Sequence, residues 1–170
     1  AAHKGSFGHV VLVAGTLGYH GAAVLAARGG QRAQPGLITL LTTEAVYEPV
    51  AAQLQSVMVR PWSEHQTLPD SCTAVVLGPG LASPDLPVAL KDFTARLWCE
   101  ARVPVLADAS ALDWLPQGPC PPQAVRVITP HPGEAGRMLK RSPTAVQEDR
   151  PQALRTLSRG WGDSYVVLKG

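Results

Sequence analysis

The stretch Ile128-Thr129-Pro130-His131-Pro132-Gly133-Glu134-Ala135-Gly136-Arg137-Met138-Leu139 decides how this chain folds. The apolar run 125–128 before it reads as a short buried strand. The strand must stop at Pro130, which has no N–H for a sheet ladder. Pro132 pushes the backbone of His131 towards an extended conformation. Thr129 can cap the next segment, and 134–139 reads as a helix. A strand that breaks into a stiff loop before a helix is an α/β unit. Open α/β sheets place their ligands at such carboxyl ends of strands. A rigid connection with an incidental histidine would leave the same pattern.

Working outward, the unit recurs. Residues 10–14, Val-Val-Leu-Val-Ala, form a continuous apolar run that suits a parallel strand buried on both faces. Gly15-Thr16-Leu17-Gly18-Tyr19-His20-Gly21 comes next, and then an alanine-rich helix over 22–32. Its glycines lie three and six residues after Gly15, which is not a dinucleotide-binding fingerprint, and no Gly-Lys-Ser/Thr makes it a Walker loop. A second strand is expected over 37–41, a short helix from Thr43 to about Gln53, and a short strand near 57–59. A third buried strand, 74–77, runs into Gly78-Pro79-Gly80-Leu81. A helix over 86–101 leads to a strand at 104–107 that ends in Asp108, either a helix cap or a ligand group. Residues 116–123 are a turn-rich connector. A long amphipathic helix is expected over 146–159 with Arg150, Arg155 and Arg159 on its wet side, then a last strand at 165–168 before Lys169-Gly170.

Strand and helix alternate about six times, which predicts a parallel sheet covered on both faces. On that topology Gly15 to Ala22, Gly78 to Gly80, Asp108 and Thr129 to Glu134 share one sheet edge. Their convergence points to a small-molecule site.

Composition narrows the function. With 170 residues, 45% of them hydrophobic, the chain can bury one real core. A net charge of +2 and 5% aromatic residues offer nothing to nucleic acid. Three widely spaced cysteines, Cys72, Cys99 and Cys120, form neither a disulfide framework nor a zinc motif, so no metal ligand is assigned. They suit a reducing, cytoplasmic setting. No apolar run approaches the ~20 residues of a membrane span, and the first residues do not read as a signal leader.

His3-Lys4-Gly5-Ser6-Phe7-Gly8-His9-Val10, with Gly15-x-x-Gly18-Tyr19-x-Gly21-Ala22-Ala23 after it, resembles the opening of the ADP/ATP-dependent NAD(P)H-hydrate dehydratase family. So do Gly78-Pro79-Gly80-Leu81, Pro104-Val105-Leu106-x-Asp108-Ala109 and Thr129-Pro130-His131-Pro132-Gly133-Glu134. Ala14, Ala82 and Ser110 stand where the family usually carries Gly, Gly and Asp. The resemblance implies a ribokinase-like three-layer α/β/α sandwich with a mostly parallel central sheet, here incomplete. Residues 1–170 would be a single partial domain of that kind.

The activity implied is repair: nucleotide-dependent dehydration of hydrated NADH or NADPH, with ADP or ATP supplying a phosphoryl group to the ring hydroxyl and Mg2+ accompanying the nucleotide. Matched residue by residue, Ala22, Gly78, Gly80 and His131 would contact the hydrated cofactor. Lys169 and Gly170 would begin the nucleotide loop, and Asp108 and Glu134 are further candidates. The family's catalytic Asp, in a Gly-x-Gly-Asp helix start, would lie beyond Gly170. No catalytic residue is therefore assigned within the chain, which by itself is expected to be inactive. An epimerase domain, fused or associated, and a homo-oligomer when intact are further expectations. A small-molecule kinase of the same fold, or a non-catalytic nucleotide-binding module if the chain ends at Gly170, are the alternatives.

Overall fold

The structure, a computed structural model, describes residues 7–170. His3, Lys4, Gly5 and Ser6 of the opening motif lie outside the described residues. Among the described residues seven strands form one sheet: β1 (His9–Val13), β2 (Leu37–Thr42), β3 (Met58–Pro61), β4 (Ala74–Leu77), β5 (Val105–Ala107), β6 (Arg126–Ile128) and β7 (Tyr165–Val166). Their order across the sheet is β3-β2-β1-β4-β5-β6-β7, and every pair is parallel. Among the described residues the sheet expected to be mostly parallel is parallel throughout, with β3 and β7 as its outermost strands.

The α-helices of the described residues cover it: α1 (His20–Arg32), α2 (Tyr47–Ala51), α3 (Val88–Glu100), α4 (Pro132–Leu139), α5 (Pro143–Glu148) and α6 (Arg150–Gly160). Short 3-10 turns at Glu44–Val46 and Ala109–Trp114 come after β2 and β5. On one face Ala23, Val24 and Ala27 of α1 and Val50 of α2 pack on Leu12, Ile38 and Leu40. On the other, Leu90, Phe93 and Trp98 of α3, with Met138, Val146 and Leu157 of α4 to α6, pack on Val75, Leu77, Val105 and Ile128. The two helical layers are staggered. Register places Leu12, Val76, Leu106 and Val127 on the α1 side of the sheet. Leu106 and Val127 lie past the reach of α1 and α2 and are only half-buried. Among the described residues no helix is long and apolar enough to cross a membrane.

Two sequence expectations need correction. The helix expected over 146–159 is two helices, broken at Asp149 (φ −136°, ψ 70°). Pro151 sits in the first turn of α6; it lacks an N–H and its ring clashes with the preceding turn, so a continuous helix cannot pass through it. Asp149 instead caps the new helix, accepting from Gln152 N at 2.9 Å. The run 125–128 is also less apolar than a buried strand suggests. Arg126 lies within it at 2% exposure, while Val125 is 42% exposed. The Arg126 guanidinium donates to Trp98 O (2.7 Å), Ala101 O (2.6 Å), Val103 O (3.1 Å) and Val125 O (3.2 Å). It thereby closes the C-terminus of α3, where carbonyls are left over and positive charge is favoured.

Candidate functional site

The strand order makes the carboxyl edges of β1, β4, β5, β6 and β7 consecutive. The connection from β3 back to β4 reverses the direction of travel beside β1, and ligands of open α/β sheets sit outside such a reversal. The loops there are tied into one rim. Gly15 N donates to Pro79 O (2.9 Å), and Gly78 N to Val13 O (3.0 Å). The Thr16 hydroxyl donates to Gly80 O at 2.8 Å. Asp108 N reaches Leu77 O (3.0 Å), Thr129 N reaches Ala107 O (3.2 Å), and Lys169 N reaches Pro130 O (2.9 Å).

Glycine is required at two points of this rim. Gly78 has φ +113°, and a side chain there would run into the carbonyl of Asp108. Gly80 has φ +70°, and a Cβ would come within 2.6 Å of Tyr19 O and 2.9 Å of Ala22 Cβ. Ala22 and Gly80, two of the sequence-derived candidates, are thus packed against each other across the β1 and β4 loops. His131 lies two strands further along. At about 4.8 Å per strand it stands roughly 10 Å from the β4 end.

The second half of the rim is charged. His131 is the N-cap of α4, with its Nδ1 accepting from Gly133 N (3.0 Å) and Glu134 N (3.3 Å). The Glu134 carboxylate in turn accepts from His131 N at 2.8 Å, completing a capping box. The cap expected at Thr129 is therefore made by His131. With Nδ1 used as acceptor, the ring proton is on Nε2, which faces Glu134 Oε1 at 3.3 Å. The His131 side chain is 50% exposed, whereas that of Glu134 is buried. Lys169 Nζ joins the group, 2.7 Å from Asp108 Oδ1 and 3.7 Å from Glu134 Oε2.

Asp108 is not the helix cap that the sequence allowed. It precedes the 3-10 turn, but its side chain makes no capping hydrogen bond; its partner is Lys169. Burial favours the neutral form and pushes its pKa up. The Lys169 hydrogen bond and charge, with the Thr129 hydroxyl and the Ala109 amide, outweigh this and hold the carboxyl below its ordinary range.

Arg150, read from sequence as a solvent-facing charge, turns inward at the end of β7. It donates to Leu168 O at 2.7 Å and lies 3.4 Å from Lys169 O. Neither contact has a spacing signal, since both are made across a loop. Among the described residues no group of three or more His, Cys, Asp or Glu could hold a metal ion.

A cavity of about 450 Å³ lies elsewhere, on the β1–β3 face beside His9, Thr39, Arg60 and Ser71. There His9 is held between Ser71 Oγ and Thr39 Oγ1, each at 2.8 Å, and burial lowers its basicity. It gathers none of the strand-end residues. A cavity of about 280 Å³ does open on the rim, bounded by Thr16, Leu17, Thr43 and Ser83.

Over residues 10–170 the sequence matches the family model described as NAD(P)H-hydrate dehydratase. The chain belongs to that family. It is 35% identical over 173 residues to the bifunctional NAD(P)H-hydrate repair enzyme Nnr of Coxiella burnetii, a match covering 99% of this chain and 34% of that protein. It is 32% identical to the ADP-dependent (S)-NAD(P)H-hydrate dehydratase of Lactiplantibacillus plantarum, covering 97% of this chain and 59% of that one. The ADP/ATP-dependent NAD(P)H-hydrate dehydratase of Bacillus subtilis, co-crystallized with ATP/Mg2+, superposes with a TM-score of 0.81 at 28% identity, over 99% of this chain and 60% of that one. The dehydratase-family chain therefore spans about a third of the length of its bifunctional relatives and about three-fifths of the shorter ones. The ribokinase-like fold expected from the sequence is the fold observed.

Proposed function

We propose that the protein carrying this chain repairs hydrated NADH and NADPH, removing water from the damaged ring with ADP or ATP as phosphoryl donor. The observation that carries this reading is the single rim uniting Ala22, Gly78, Gly80, Asp108, His131, Glu134 and Lys169 on adjacent strand ends.

The chemistry suits that rim. A ring hydroxyl is a poor leaving group, and phosphorylation makes it a good one. Phosphoryl transfer asks a protein for positioning and for positive charge near the transferred oxygens. Lys169 supplies the charge. Gly78 and Gly80 let the strand-end loops pack closely beside Ala22, and His131 offers a half-exposed imidazole. Mg2+ would arrive with the nucleotide phosphates, as hard cations do.

The same reading takes residues 1–170 as part of one carbohydrate-kinase-like domain, with an NAD(P)H-hydrate epimerase domain fused to it or associated with it. It takes the intact protein as a cytoplasmic homo-oligomer, with the catalytic Asp outside these residues. The test uses protein expressed from the complete coding sequence, incubated with hydrated NADH and ADP. Absorbance of the reduced ring should return in step with nucleotide consumption. Nucleotide turnover without ring recovery would overturn the dehydratase reading and favour a small-molecule kinase.

A further inference from the structure

The rim cavity of about 280 Å³ opens at the reversal of strand order, where the loops after β1 and β2 part from the loop after β4. Hydrogen bonds fix its walls. On one side the Gly15 carbonyl accepts from Thr42 Oγ1 (3.0 Å), Thr43 N (3.2 Å) and Thr43 Oγ1 (3.3 Å), which ties the end of β2 to the β1 loop. On the other the Thr16 hydroxyl holds Gly80 O, so the cavity adjoins the contact between Ala22 and Gly80. Further along that loop Ser83 Oγ accepts from Asp85 N at 3.3 Å. Leu17, Ala45, Leu86 and Pro87 give the cavity apolar walls, and Leu17 is 67% exposed, an apolar surface that a ligand would cover. Its charged members among the described residues are two exposed carboxylates, Glu44 and Asp85.

We propose that this crevice receives the adenosine half of the hydrated cofactor, and that Glu44 and Asp85 make it select hydrated NADH over hydrated NADPH. The inference rests on the repair reading, in which the phosphoryl donor sits by Lys169 at the end of β7 and the damaged ring lies between there and Ala22 with Gly80. A ring turned towards that donor leads the rest of its dinucleotide the other way, over the ends of β1 and β2. The cavity lies on that path. It is smaller than the roughly 300–1,000 Å³ of pockets that hold a whole drug-sized ligand, and it suits one nucleoside, with apolar walls for the base and carboxylates for the ribose. A carboxylate accepts a hydrogen bond from a ribose 2′-hydroxyl. Hydrated NADPH carries a phosphate at that position, with a charge of about −1.5 to −2 at pH 7, and the two carboxylates repel it.

The test uses the protein from the complete coding sequence with saturating ADP. It compares kcat/KM for hydrated NADH and hydrated NADPH in wild type, Glu44→Gln, Asp85→Asn, the double variant, Ala45→Phe and the distant surface control Glu148→Gln. At low ionic strength the wild type should favour hydrated NADH by about tenfold, the size of a like-charge contact in a water-like dielectric, and added salt should shrink that ratio. The double variant should bring the ratio to within about twofold of unity, with each single variant in between. Glu148→Gln should keep the wild-type ratio. Ala45→Phe, which fills the cavity, should raise KM for both hydrated cofactors and leave KM for ADP within about twofold of wild type. If Ala45→Phe lowers Tm, the two charge variants decide. Equal kcat/KM for the two cofactors in the wild type would overturn the inference and leave the dehydratase reading standing, as would a preference that the double variant keeps, or unchanged KM values in a folded Ala45→Phe. A wild type that restores ring absorbance from neither cofactor would sink the dehydratase reading, and this inference with it.

Discussion

Lys169 and Asp108, 61 residues apart in the chain, meet at 2.7 Å across the ends of β5 and β7. The pair spans β6, whose loop holds His131, and Glu134 lies below the Lys169 ammonium at 3.7 Å. One cation thus links the charged groups of three strand ends, and it orients the side chain that would meet a phosphate.

Acid should weaken this link in a definite direction. Asp108 in the folded chain is more acidic than its ordinary value of 3.8. The stabilisation is therefore fully present above about pH 4, where an unfolded Asp is ionised, and is lost as pH falls through the lower, folded value. Asp108→Asn should cost about 1 kcal/mol or less at pH 7, since both side chains are partly exposed. Urea unfolding at pH 7 and pH 3 should show the gap between variant and wild type closing on acidification. A constant gap would contradict the pairing.

His131 separates a structural role from a binding role. His131→Ala should cost about 1 kcal/mol through the lost N-cap of α4. Asparagine is a good N-cap, so His131→Asn should restore most of that stability. It should not restore affinity for the hydrated cofactor if the imidazole makes that contact. Thermal unfolding beside a binding titration of the two variants reads both effects.

Two glycines should answer substitution in opposite ways. Gly78→Ala places a methyl against the Asp108 carbonyl at φ +113°, and should cost about 3 kcal/mol or more, or leave no soluble protein. Gly29 lies inside α1 with open space around it. Gly29→Ala should stabilise by about 0.5–1 kcal/mol through helix propensity. Chemical denaturation of each variant measures the contrast.

Arg126 should be among the least replaceable residues away from the site. Arg126→Met fills a similar volume but strips donors from four carbonyls, including Trp98 O and Ala101 O at the end of α3. A loss of about 3 kcal/mol or more is expected. Hydrogen exchange should show the last turn of α3 opening first.

The strands β1, β2 and β4 were plain in the sequence because each is a short, largely apolar and β-branched run bounded by turn residues. The four strand-end clusters were equally plain, since Gly, Pro, Asp and His break the apolar pattern where a parallel sheet has its ligand edge. Other features were hidden. Arg126 carries a charge and hides it by bonding carbonyls far along the chain, so its pattern resembles that of a surface residue. Arg150 shares helical spacing with Arg155 and Arg159, yet as the first residue of α6 it sits beside the end of β7 and turns inward to Leu168 O. The role of Asp108 depended on a lysine from another strand.

By itself the sequence determined the alternation of strand and helix, the parallel sheet, the residues at its carboxyl edge and the family to which they belong. These come from local pattern: apolar runs, prolines that cannot donate, and glycines where the backbone must turn. Only the tertiary structure decided who meets whom along that edge: Ala22 with Gly80, His131 with Glu134, Lys169 with Asp108, and Arg150 with the carbonyls that precede the nucleotide loop. The order in which strands sit side by side, β1-β4-β5-β6-β7, is a property of the folded sheet, and it sets which distant residues come within hydrogen-bond reach.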